Sequence, residues 1–247
     1  MQTDRDVLIF EFSNGEAMVV GCDSAGGIGP KSLDKVRVDG YTLVKFTARV
    51  ALMEVLSTGA KPICVVDTLS VEPEPTGIEI LEGIKEEAKK VGLDPELAVM
   101  GSSEKNFTVE QTGIGVTVIG MTGKVSLRIG VSEPEDIVVA VGIPCVGAEV
   151  IYAEKMGKTA DASDVLKLRD MEFVHEIIPV GSEGIVHEIR MLAEGSNLKL
   201  KFTKKPMIDV KKSAGPATVV LASLPEFRLA ELKRAISKPI NVVGQLF

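Results

Sequence analysis

The chain has 247 residues, 45% of them hydrophobic and 26% charged, with a formal net charge of −7. That length can bury one large core or two of ordinary size. The negative balance lacks the basic field on which most nucleic-acid affinity rests, which sets nucleic acid aside as a main partner. Cys22, Cys64 and Cys145 are odd in number and far apart. They suit neither a disulfide framework nor a Cys-x-x-Cys metal site, and read as small buried residues of a reducing compartment. The start, MQTDRDVLIF, carries charge where a signal peptide needs an apolar stretch. No apolar run approaches the ~20 residues that span a bilayer, so a cytoplasmic protein without a membrane partner is expected.

Val7–Phe12 and Met18–Gly21 are expected to form a hairpin, since Asn14-Gly15 supplies the positive φ that tight turns need. Tyr41–Thr58 repeats apolar residues at helical spacing and reads as a largely buried helix ended by Gly59. Lys61–Thr68 is a short apolar strand. Thr76 followed by Glu79 suggests a capping box opening a second helix, whose run Glu82–Lys90 has the charges of a solvated face. Strands are expected at Leu97–Met100, Gly113–Met121 and Val125–Ile129. The polar break Ser132-Glu133-Pro134-Glu135-Asp136 then divides the chain into domains 1–132 and 133–247. Beyond it come a strand at Ile137–Ile143, helices at Ser163–Glu172, Ser182–Ala193 and Pro225–Ile236, and strands at Val174–Pro179, Leu198–Phe202, Thr218–Leu224 and Ile240–Gln245. The class is α+β.

The stretch GCDSAGGIGPKS, residues 21–32, invites comparison with phosphate-binding loops. A Walker loop needs Gly, four residues, then Gly-Lys-Ser/Thr, and here Pro30 interrupts Gly29 and Lys31 and removes an N–H donor. The dinucleotide fingerprint fails as well, for want of its third glycine. What remains is Asp23 at a strand end and Lys31 after the glycines: a carboxylate for a hard cation and an ammonium for a phosphate. Two further carboxylates sit in apolar surroundings. Glu54 lies within ARVALMEVLSTGAKP, where an ionised group is costly unless paired or metal-bound. Asp67 ends the apolar ICVVD. Singly, Glu54 reads as an ion-pair partner of Arg49 or Lys45 and Asp67 as a loop cap. Together with Asp23 they surround a glycine-rich loop.

The segment MEVLSTGAKPICVVD resembles one shared by an ATP-using superfamily: aminoimidazole ribonucleotide synthetase, thiamine monophosphate kinase, selenophosphate synthetase and a hydrogenase maturation factor. Met53-Glu54 occupies the place of the family's Asn-Asp, and Gly59-Ala60-Lys61-Pro62 that of its Gly-Ala-x-Pro. GIGVTVIGMTGKV is similar to the strand pair closing the family's first domain, and EPEDIVVAVGIP to the start of its second. Over residues 145–247 the resemblance thins to IIPVGSEGIVHEI, an echo of a Gly-Gly-Leu helix start. Within the superfamily, CDSAGGIG, FTARVALMEVLSTGAKP and GSSEKNFTVEQTGIGVTVIG look most like the alpha-ribazole kinases.

The resemblance implies a PurM-like two-domain fold whose first domain contributes strands to a barrel shared by two subunits, hence a homodimer. It implies ATP and Mg²⁺ as cofactors and a small nucleoside as substrate. Metal would be held by Asp23, Glu54, Asp67 and Glu104. Phosphates would lie on the backbone of Gly26, Gly27 and Gly29, on Lys31, and near Gly101 and Ser102, where either Ser102 or Glu104 stands at the family's acidic position. Asp67 and Lys31 would be catalytic, Asp67 orienting or deprotonating the acceptor hydroxyl. Asn106 and Thr108 are candidate substrate contacts, whereas His175 and His187 read as locally hydrogen-bonded. Glu54 departs from the family's Asp, and the second domain is short for an aminoimidazole ribonucleotide synthetase. An ATP-dependent cyclising ligase and a non-catalytic nucleotide-binding protein therefore remain alternatives.

Overall fold

A computed structural model describes residues 5–247, so the extreme charged start lies outside the described residues. The chain divides into two compact units, one of residues 1–55 with 60–124 and another of residues 56–59 with 125–247.

The first unit is built from β1 (Val7–Glu11), β2 (Glu16–Gly26), β3 (Ile28–Gly29), β4 (Val36–Arg37), α1 (Gly40–Ser57), β5 (Lys61–Leu69), α2 (Ile78–Lys90), α3 (Pro95–Ala98), β6 (Val99–Ser103) and β7 (Gly113–Gly123). Five strands form one sheet in the order β1-β2-β7-β5-β6, with only β5 and β6 parallel. The expected hairpin is present, and β2 runs on through Asp23 into the glycine-rich stretch. Helix α1 begins where Asp39 Oδ1 accepts the Thr42 N–H at 2.5 Å, an N-cap bond. Leu43, Val44, Ala48, Ala51, Leu52, Met53, Val55 and Leu56 are all buried. Each large side chain among them contributes about 1.5–3 kcal/mol over its exposed state. Helix α2 lies on α1, and Arg49 and Glu87 meet between them at 3.6 Å, both almost fully buried.

The second unit contains β8 (Asp136–Gly142), α4 (Ala148–Lys155), α5 (Ala162–Arg169), β9 (Glu176–Pro179), α6 (Ile185–Gly195), β10 (Leu200–Phe202), β11 (Val219–Pro225), α7 (Leu229–Ala235) and β12 (Ile240–Leu246). Its sheet is antiparallel, ordered β10-β12-β8-β11-β9. Every residue of the central β8 is buried, which requires cover on both faces. Ile185, Ile189 and Leu192 of α6 pack with Val138 and Ala140 of β8 and Leu221 of β11 in one apolar cluster. Among the described residues, no helix is long and apolar enough to cross a membrane.

Several local expectations are corrected. Val125–Ile129 is not a strand: a short helical turn, Lys124–Ser126, leads into a loop whose Arg128 N–H donates to Thr58 O, and Val125 is 99% exposed. The capping box is not formed, since Thr76 Oγ1 donates to Glu72 Oε1 at 2.5 Å and Glu79 Oε2 accepts the Gly40 N–H at 3.1 Å. Of the cysteines only Cys145 is buried, while Cys22 is exposed on β2. Helix α4 has no counterpart among the expected elements; its AEVIYAEK buries only Val150 and Ala153, too few to show a period.

Candidate functional site

Strand pairing sets Asp23 of β2 and Asp67 of β5 opposite the same residue, Val116 of the intervening β7, and sets Gly101 of β6 opposite Asp67. Asp23, Val116, Asp67 and Gly101 thus form one row across the sheet, and residues in a row share a face. Buried Val65 and Leu69 flank Asp67 at two-residue spacing, as Ile114 and Val118 flank Val116, so the row lies on the apolar inner face. With strands about 4.8 Å apart, the two aspartate Cα atoms are roughly 10 Å apart.

Asp67 is 3% exposed and its Oδ2 is buried without a hydrogen-bond partner. Burial pushes its carboxyl up to about 6. An unpaired buried carboxylate is costly, so it calls for a cation or a donor from outside the chain. Asp23 is half-buried, and burial lifts it also to about 6 against a bond from the Ser24 backbone. Glu54 approaches the same face from α1: its Cβ lies 3.2 Å from the point a Cβ on Gly21 would occupy, and Gly21 is two residues from Asp23. The fourth expected ligand is turned elsewhere. Glu104 Oε1 accepts the N–H groups of Asn106 and Phe107 at 2.6 and 3.2 Å, closing its own loop. Among the described residues, no group of three or more His, Cys, Asp or Glu is close enough to hold a metal ion.

A cavity of about 190 Å³ opens beside Asp67. Leu69, Pro73, Ile78 and Leu81 form its apolar wall, and Asp67 with Gly101, Ser102 and Ser103 its polar side. Of the two candidates for the family's acidic position, Ser102 is among the lining residues and Glu104 is not, although strand alternation sets the Ser102 side chain on the face opposite Asp67. Ser103, which carries no motif of its own, lines it too. Asn106 and Thr108 are exposed on the loop beyond and are not among the lining residues.

The glycine-rich stretch is pinned more firmly than its composition suggests. Gly26 is laddered to Gly113, and the Gly27 N–H donates to Thr112 O at 2.9 Å, so that amide is committed within the chain. Gly29 has φ +144° and sits so close to Thr112 that a Cβ would meet Oγ1 at 2.5 Å, a place only glycine fills. The organiser is Asp34, 8% exposed. Its Oδ1 accepts Thr112 N–H at 2.8 Å, and its Oδ2 accepts Thr112 Oγ1–H at 2.7 Å and Lys31 N–H at 2.8 Å. The Lys31 ammonium is paired with Glu72 Oε2.

In the second unit both histidines are locally bonded as expected, His175 Nδ1 to Asp136 Oδ2 at 2.7 Å and His187 to Glu183 at 3.1 Å. The feature the sequence does not announce is Glu176, 1% exposed. It accepts Gly130 N–H at 2.9 Å, Val131 and Ser132 N–H at 3.1 Å, and the hydroxyls of Ser132 at 2.8 Å and Ser196 at 3.0 Å.

Residues 4–122 match the family model for AIR synthase related protein, N-terminal domain. A comparison with curated protein sequences finds no match. Among solved structures, T. maritima PurL complexed with ADP is similar at 16% identity and TM-score 0.67, over 100% of this chain and 42% of that one. AaThiL complexed with AMPPCP and TMP is similar at 14% identity and TM-score 0.69, over 98% of this chain and 84% of that one. Thiamine monophosphate kinase from Aquifex aeolicus is similar at 14% identity and TM-score 0.67, over 98% of this chain and 88% of that one. Likeness at this identity establishes the fold, a PurM-like α+β arrangement extending through both units.

Proposed function

We propose that this protein is an ATP- and Mg²⁺-dependent kinase, a cytoplasmic homodimer that phosphorylates a small nucleoside, alpha-ribazole in the salvage of the cobamide lower ligand. The observation that carries the reading is Asp67, a buried carboxylate with an unpartnered oxygen beside a small cavity. Nucleotides are named in two of the similar structures, PurL with ADP and AaThiL with AMPPCP, which supports ATP as the phosphoryl donor.

Asp23 and Asp67, in one row of the sheet, offer carboxylate oxygens of the kind a hard cation takes, and two carboxylates suffice for Mg²⁺, which keeps several waters and takes phosphate oxygens as its other ligands. Asp23 and Asp67 would hold Mg²⁺, and Glu54 approaches the same face from α1. Bound there, Mg²⁺ supplies charge neutralisation at phosphate oxygens, the larger part of what phosphoryl transfer demands. Asp67 accepts the proton of the acceptor hydroxyl, and Lys31 balances charge on the transferred group. Ser103, opposite Leu69 on the face that carries Asp67, offers a hydroxyl along the cavity.

A second reading, an ATP-dependent cyclising ligase, draws on the match of residues 4–122 to an AIR synthase related domain. Incubation with ATP, Mg²⁺ and a nucleoside panel that includes alpha-ribazole separates the two. The expected product is a phosphorylated nucleoside with one ADP per turnover. A cyclised product would establish the ligase instead, and nucleotide binding without turnover of any kind would overturn both.

A further inference from the structure

Lys31 is the cation that the proposed function places at the phosphates, and in this structure it is occupied. Its Nζ pairs with Glu72 Oε2 across 41 residues, the two side chains being 18% and 31% exposed. Both partners are held in place from behind. The Lys31 backbone is fixed by its N–H bond to Asp34, itself locked to Thr112. Glu72 is fixed by Thr76 Oγ1 on its second oxygen at 2.5 Å. Glu72 also immediately precedes Pro73, which with Gly77 lines the cavity beside Asp67. A carboxylate is the nearest side-chain equivalent of a phosphate oxygen pair, so the chain places its own anion where a ligand's would go.

We propose that Glu72 is a resident competitor for Lys31 and thereby sets the ligand specificity of the site. A ligand gains Lys31 only by bringing a more highly charged anion than one carboxylate. Polyphosphate groups meet that condition, whereas neutral nucleosides and singly charged carboxylates do not. Glu72 is a positioning residue, acting through Lys31 and not on the reacting atoms. The alternative for the same contact is a structural tether between the glycine-rich loop and the segment ahead of α2; a tether affects stability, and a competitor affects affinity.

The inference rests on Lys31 as a phosphate ligand, and the test separates the two. Affinities for Mg·tripolyphosphate, Mg·ATP and adenosine are measured by calorimetry on the wild type, Glu72→Gln, Lys31→Ala and the double variant, alongside thermal melts. The amide keeps the shape of Glu72 and an acceptor for Thr76. Glu72→Gln is expected to bind tripolyphosphate and ATP roughly three- to fivefold more tightly, the scale of a partly exposed ion pair, with adenosine affinity and melting temperature unchanged. The gain should vanish in the Lys31→Ala background. If Lys31→Ala weakens binding but Glu72→Gln does not tighten it, or only lowers the melting temperature, Glu72 is a tether and the inference fails alone. If Lys31→Ala leaves tripolyphosphate affinity unchanged, or no variant binds it, the assignment of Lys31 fails and takes the inference with it.

Discussion

The carboxylate of Asp67 occupies the space that a side chain on Gly101 would fill: a Cβ there would lie 2.0–2.2 Å from its Oδ1, Cγ and Oδ2. The parallel pairing of β5 with β6 brings the two residues opposite each other, and the absence of a side chain at 101 lets the carboxylate lie flat against the neighbouring strand. Gly101→Ala is therefore expected to displace Asp67 and to cost about 1–3 kcal/mol of stability, as overpacking does. Combined with Asp67→Ala it should recover the stability, measured by denaturant titration, without recovering nucleotide turnover. Full turnover in Gly101→Ala alone would remove Asp67 from the site.

Asp67 also makes stability depend on pH in an unusual direction. Burial raises its carboxyl to about 6. The folded protein thus binds more protons than the unfolded chain between about 4 and about 6, and stability falls as pH rises through that window. Asp67→Asn removes the effect. The variant should be more stable than the wild type by about 2 kcal/mol above pH 7, with the difference closing near pH 4. Melts of ligand-free protein at pH 4, 5.5 and 7.5 read this directly. A constant difference across the three would mean that the carboxyl is not perturbed.

Mg²⁺ is the expected remedy for the same burial. ATP affinity measured calorimetrically should require a divalent cation, and Asp23→Asn or Asp67→Asn should lower turnover by several kcal/mol in transition-state terms, the scale at which metal ligands act. Equal ATP affinity with Mg²⁺ and with EDTA would contradict the carboxylate row as a cation site.

What the sequence can show is set by how local each signal is. Asp67 is visible because one charge ends an otherwise apolar strand, and Asp23 because it follows another. Their common partner Val116 is not, because register across three strands is fixed by side-chain packing and not by any short motif. The glycine-rich stretch shows no sign of a distant partner in its own sequence, yet Asp34 fastens it to Thr112, 78 residues away. Glu104 reads as available for metal, but its Oε1 accepts amides two and three residues on, an arrangement that depends on loop conformation alone. Val125–Ile129 fails as a strand for a similar reason: its start is drawn into the helical turn Lys124–Ser126 and the Arg128 N–H goes to Thr58 O, 70 residues back, where no short motif points.

Glu176 should be the most sensitive polar position of the second unit. Glu176→Gln replaces one acceptor oxygen with an NH₂ group facing N–H and hydroxyl donors already in place. Bonds to a buried charge contribute about 1.5–3 kcal/mol each, and an orphaned donor adds its desolvation cost, so a loss of about 2–4 kcal/mol is expected. At this chain length that corresponds to a melting temperature lower by roughly 5–15 °C. A drop below about 2 °C would show that the Gly130–Ser132 backbone finds other partners at little cost.

The outer face of the first sheet gives the last expectation. Leu8 and Phe10 of β1, Ile63 of β5 and Met100 of β6 are 54%, 48%, 51% and 63% exposed. Pairing aligns Leu8 with Val20 and Ile119, and Phe10 with Met18 and Met121, so the apolar residues form a continuous patch and not scattered contacts. Patches of this kind mark an interface, and two-fold pairing is the commonest closed solution. Light scattering at micromolar concentration should give roughly twice the 26.3 kDa chain mass. Cys22 provides a second readout. It is exposed in the single chain and follows Met18 and Val20 on the same outward face. Association should slow its alkylation relative to Phe10→Glu, a substitution that places a charge in the patch and is expected to yield monomers. A wild-type protein that is monomeric and alkylates Cys22 as fast as the variant would leave the patch without a second copy. If that monomer also turned over ATP with its acceptor, the site would be complete within one chain.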